Sequence, residues 1–71
     1  MNFNDLLAVL AQKQHVIVFK QGHLVLDFYK DEPREYFIRG NAGDLFLIFD
    51  SNPAIKEVWM MYSENAIAID V

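Results

Sequence analysis

The sequence predicts an α+β domain, with an N-terminal helix packed on an antiparallel meander sheet of about five or six strands. Three observations predict it. Apolar residues near the N-terminus recur with a helical period, whereas from residue 15 onward they gather in short strand-like runs. Turn-forming clusters divide the rest of the chain at short intervals, among them Gln21-Gly22, Asp31-Glu32-Pro33-Arg34 and Ser63-Glu64-Asn65. Short connections of this kind usually join strands that are neighbours in a sheet. Finally, 71 residues that are 54% hydrophobic and 23% charged have the composition of one small globular domain, residues 1–71, and not of a disordered chain.

The helix is expected over residues 3–13. Phe3, Leu6, Leu7 and Leu10 fall on one stripe, Asn2 is a suitable N-cap, and Asp5 and Lys13 complement the two ends of the helix dipole. His15–Lys20 and His23–Lys30 then form a hairpin about Gln21-Gly22, with Gly22 supplying positive φ. A regular ladder from that turn sets His15 opposite Phe28 and His23 opposite Lys20. Leu24, Leu26 and Phe28 share one face of the second strand. Pro33 ends the ladder, and Glu35–Arg39 is a third strand. Gly40-Asn41-Ala42-Gly43-Asp44 is turn chemistry, and Leu45–Asp50 is expected as a central fourth strand because it is apolar on both faces. Residues 54–62 are ambiguous. Pro53 and the spacing of Ile55, Val58, Trp59 and Tyr62 suit a helix, but Glu57–Tyr62 is rich in strand formers, and strand is favoured. Ala66–Val71 closes the sheet, with Ile67, Ile69 and Val71 on one face.

The apolar surplus has a consequence for association. Val16–Phe19, Leu45–Phe49 and Val58–Tyr62 do not alternate, so both their faces want cover. A chain this short buries only about 60% of its unfolded surface. A second chain is therefore expected over one face, and a homo-oligomer, most simply a dimer, is favoured. Phe46, Ile48 and Trp59 are the candidate partner-binding residues, flanked by Asp44 and Asp50.

Little here promises catalysis. There is no Cys and no Thr, and the only serines, Ser51 and Ser63, sit in turn contexts. The two histidines fall at opposite ends of the expected hairpin, more than about 15 Å apart, and His23 and Asp27 are too distant for a dyad. The carboxylates of Asp31, Glu32 and Glu35 form a balanced charged turn with Lys30 and Arg34. Gly40 and Gly43 lack the Lys-Ser/Thr of a phosphate loop. No enzyme activity, cofactor or metal is expected.

Charge separates the halves. Residues 1–39 carry five acids and five bases, whereas residues 40–71 carry Asp44, Asp50, Glu57, Glu64 and Asp70 against Lys56 alone. That acidity opposes phosphate binding and suits either solubility or docking of a basic protein surface. A nucleic-acid module is the alternative, using Phe28, Tyr29, Tyr36 and Phe37 with Lys20, Lys30, Arg34 and Arg39, although the half that holds them is electrically neutral. A second alternative is an enzyme or ligand site assembled at an oligomer interface. Leu6–Ala11 follows Asp5 and ends after six apolar residues, unlike a secretory segment, and no run approaches the ~20 residues of a membrane span. With no Cys, the expected setting is reducing and cytoplasmic. The leading expectation is a non-catalytic, protein-binding or self-associating protein, of the kind bacteria and phages encode as accessory proteins or inhibitors.

Overall fold

A computed structural model of the chain describes residues 1–10, 13–32, 35–39 and 42–71. Two helices, α1 (Phe3–Val9) and α2 (Ala42–Ser51), accompany five strands: β1 (Gln14–Lys20), β2 (His23–Glu32), β3 (Glu35–Arg39), β4 (Glu57–Met61) and β5 (Ala66–Asp70). The fold is α+β as expected, but the sheet is mixed and not a meander. Its order is β3-β2-β1-β5-β4, with β5 parallel to β1 and every other pair antiparallel. The chain lays β1, β2 and β3 outward to one edge, crosses by α2 to the far edge, and brings β5 back into the middle.

The largest correction is Leu45–Asp50, which is helix and not a central strand. As a helix it turns Leu45, Ile48 and Phe49, spaced i, i+3, i+4, onto the core, with Leu45 fully buried. Its unbroken apolar run then leaves Phe46 and Leu47 exposed. Asp44 lies in the first turn, where the helix dipole favours an acid. Gly40 and Asn41, part of the expected turn, lie outside the described residues, as do Pro33 and Arg34.

The helix α1 is shorter than expected and ends at Val9. Asn2 is its N-cap, and the Asp5 carboxylate accepts the Asn2 N–H at 3.3 Å. Lys13 is not at the helix end but in a left-handed conformation beyond it. The cation there comes from β2. Lys30, the buried charged residue of the core, donates from Nζ to the carbonyls of Leu7 at 2.7 Å and Leu10 at 3.2 Å.

A strap fixes both helices. Asn52 follows α2 with φ 43°, a conformation that Asn tolerates better than most residues, and donates its N–H to Ile48 O. Its side-chain oxygen accepts the Asn4 N–H of α1 at 2.9 Å, while Asn4 Nδ2 donates to Phe49 O at 3.0 Å. Phe3 stacks on Phe49 with ring centres 6.0 Å apart.

The hairpin corrects the expected register. Gln21 and Gly22 form the two-residue turn, both with positive φ, and Lys20 pairs with His23. Phe19 pairs with Leu24 but Val18 with Leu26, so Val25 is the extra residue of a β-bulge. From there every pair shifts by one. His15 faces Tyr29, not Phe28, and Ile17 faces Asp27. Because strand side chains alternate, that single residue decides which set is buried. Val16 and Val18 join Leu26, Phe28, Ile69 and Val71 beneath the helices, and His15, Asp27 and Tyr29 go to the open face.

The open face is partly apolar. Ile17, Ala66 and Ala68 are buried there, so β1 is covered on both sides from within its own chain. Phe19 of β1 stacks on Trp59 of β4 at 5.6 Å, reaching across β5 over the ladder position of Ala68. A methyl at residue 68 leaves room for that span.

Candidate functional site

The five expected partner-binding residues fall into two groups on opposite sides of the sheet. Asp44, Phe46, Ile48 and Asp50 lie on α2. Asp44 and Asp50 are exposed, and Phe46 and Leu47 are 64% and 68% exposed, whereas Ile48 packs partly against the core. Hollows flank the helix. One of about 390 Å³ is lined by Lys20, Val25, Asp44 and Leu47, and one of about 400 Å³ by Tyr36, Ile38, Phe46 and Phe49. The result is an apolar ridge with acidic residues on the same helix. Leu47, absent from the expected set, belongs to it. It lies within the Leu45–Phe49 run expected to want cover, and the helical form of residues 42–51 sets it beside Phe46.

Trp59 belongs to β4. That strand bonds β5 on one side and ends the sheet on the other. Its residues alternate between the two faces, Val58 and Met60 on the helix side and Trp59 and Met61 on the open side. The helices leave Val58 and Met60 46% and 41% exposed on their side, and Trp59 is 38% exposed on the open side.

A third feature was not foreseen. His15 Nε2 lies 2.5 Å from Asp27 Oδ1, across the β1–β2 ladder, and its Nδ1 lies 3.4 Å from the carbonyl of Glu64. The bulge at Val25 brings this pair together, so a regular hairpin reading could not find it. Both nitrogens of the ring face acceptors. It ties β1, β2 and the turn before β5 together and leaves no ring nitrogen aimed at a substrate. Beside it, Tyr29, Phe37 and Arg39 border a hollow of about 320 Å³. His23 stands apart at the hairpin turn.

The residues weighed for nucleic-acid binding are also divided. Tyr29 and Phe37 are cross-strand partners on the open face, and Arg39 shares it. Phe28 and Tyr36 are on the helix side, packed edge to face at 5.8 Å. Lys30 is buried under α1, and Lys20 lines a hollow beside α2.

As for reactive groups, Ser51 Oγ donates to Ile48 O at the end of α2, and Ser63 is in a turn. Among the described residues no three His, Asp or Glu side chains converge. The geometry defines a small α+β protein whose conspicuous surfaces are apolar. Comparison with known families, curated proteins and solved structures finds no match to this chain.

Proposed function

We propose that this is a non-catalytic binding protein that recognises protein surfaces through the ridge of α2 and the edge of β4. The exposure of Phe46 and Leu47 side by side, on a helix whose Leu45 is buried and whose Ile48 and Phe49 pack partly against the core, carries this reading. Large apolar groups held on a rigid element supply the buried centre of an interface, and charged residues around them form its rim. Asp44 and Asp50 supply acidic rim positions and steer a basic partner. Small size and the absence of Cys agree with an intracellular accessory or inhibitor protein of a bacterium or phage.

The test is capture from a bacterial lysate followed by direct binding with the purified partner. Phe46→Ser with Leu47→Ser is expected to weaken that complex at least tenfold. Asp44→Asn with Asp50→Asn slows association and flattens its dependence on salt. Equal affinity of wild type and both variants overturns the reading.

One observation favours a second reading. The adjacent Tyr29 and Phe37 on an open sheet face, with Arg39 beside them, resemble a base-stacking platform. Salt-dependent binding of a labelled single-stranded oligonucleotide, lost in Phe37→Ala, would support it against the first.

A further inference from the structure

We propose that β4 is the interface of a symmetric homodimer, pairing antiparallel with β4 of a second copy about a two-fold axis at Trp59. The inference rests on the protein-binding reading and names one partner for it.

The two edges of the sheet differ. β3 has charged residues at both ends of its sequence and a register irregularity beside it in β2. β4 runs Glu57-Val58-Trp59-Met60-Met61 and pairs with β5 without a shift. Apart from Glu57 at its start it holds no charge, and it has no Pro and no bulge, three of the devices that keep sheet edges from pairing. Its outer row of backbone N–H and C=O groups is an intact template for another strand.

Strand bounds and charge select the second copy and its register. An isologous contact sets residue i against j and j against i. Centred on Trp59, all five residues pair. Trp59 meets itself, Val58 meets Met60, and Glu57 meets Met61 of the second copy. The two Glu57 carboxylates then stand at opposite ends of the ladder, about 13 Å apart. Just outside it, Lys56 faces Tyr62 of the second copy, which is 86% exposed in the single chain. Centring on Glu57 would oppose two carboxylates. Centring on Met61 would set Val58 against Glu64 and require the turn at residues 62–65 to pair. Only the middle register both keeps every pair within the strand bounds and joins apolar rows on both faces of the sheet. A standard interface takes about 800 Å² from each partner. The rows of Val58 and Met60 on one face and Trp59 and Met61 on the other, extended by Tyr62, contribute apolar area that a bare backbone ladder lacks.

The chain contains a single Trp, at the proposed axis, so its fluorescence reports the contact directly. Light scattering after chromatography is expected to give twice the 8.3 kDa chain mass at tens of micromolar, falling to one chain mass on dilution. Trp59 emission should shift to the red with the same midpoint. Met60→Lys, met twice by symmetry, should raise the dimer Kd at least tenfold. Val58→Lys is the second variant, and circular dichroism checks that each retains its fold. A single chain mass up to millimolar concentration overturns the homodimer, while the protein-binding reading is judged by its own capture assay. A dimer that ignores both lysines and leaves Trp59 emission unchanged overturns the edge pairing although self-association is real. A monomer whose capture of another protein is lost in Met60→Lys assigns the edge to a different chain and also overturns the proposal.

Discussion

Replacing Lys30 by Met keeps most of the apolar stem and removes the ammonium. In the folded protein that ammonium is buried and donates to two carbonyls at the C-terminal end of α1, at 2.7 and 3.2 Å. Hydrogen bonds from a charged group contribute about 1.5–3 kcal/mol, and a cation at a partly buried helix C-terminus up to about 2 kcal/mol. These terms overlap, and the substitution also relieves the cost of burying a charge. We expect a net loss of about 2 kcal/mol. A protein of this size is stable by about 4–10 kcal/mol, so the loss is substantial. It corresponds to a fall in Tm of about 8–16 °C. Urea titration at neutral pH should show a lower midpoint with an unchanged slope, and hydrogen exchange should quicken first in α1. A Lys30→Met protein as stable as wild type would show that desolvation cancels the two bonds, and would refute the assignment of Lys30 as the cap of α1.

Two further substitutions test the geometry. Asn52→Gly preserves the positive φ but removes the bond to Asn4, and should cost about 1 kcal/mol by thermal melting. Asn52→Ala loses both and should cost more. For His15 and Asp27, the double variant His15→Gln, Asp27→Asn should be less destabilised than the two single changes summed. The expected coupling is about 0.5–3 kcal/mol by a denaturation cycle, and strict additivity would show that the pair does not interact.

Local chemistry made some of this structure legible and left some hidden. Gly22 marks a position of positive φ, so the hairpin turn was readable, although Gln21 takes a positive φ as well. The β5 strand and the turn at Ser63–Asn65 were readable from local chemistry too, whereas residues 54–62 suit helix and strand alike, and β4 takes the strand form that was only favoured. The face shared by Ile67, Ile69 and Val71 is likewise the face that packs on the core. Leu45–Phe49 was misread because five consecutive apolar residues satisfy a helix and a buried strand alike. Only packing against Phe3 and Tyr36 decides between them. The bulge at Val25 leaves no mark in the residue pattern, yet it selects the buried face of the hairpin and joins His15 to Asp27. The insertion of β5 beside β1 is a long-range event that no local run encodes. Of the residues expected at a contact surface, Phe46 and Trp59 are both large apolar groups left partly exposed. Their separation onto opposite sides of the sheet followed from the helix and could not be foreseen from a meander.

The parallel pairing of β1 with β5 bears on how the protein assembles in time. His15 and Ala66, which pair in the middle of the sheet, are 51 residues apart in sequence. The β1–β2–β3 and β4–β5 units are each held by neighbouring residues and can form early, whereas the seam between them requires closure of a long loop. Such non-local contacts slow folding. Until the seam closes, β1 and β5 each carry an open edge lined by Val16, Ile17, Val18 and Ile69, among the most buried residues of the finished protein. The joining of the two units is thus the step expected to set the pace of folding.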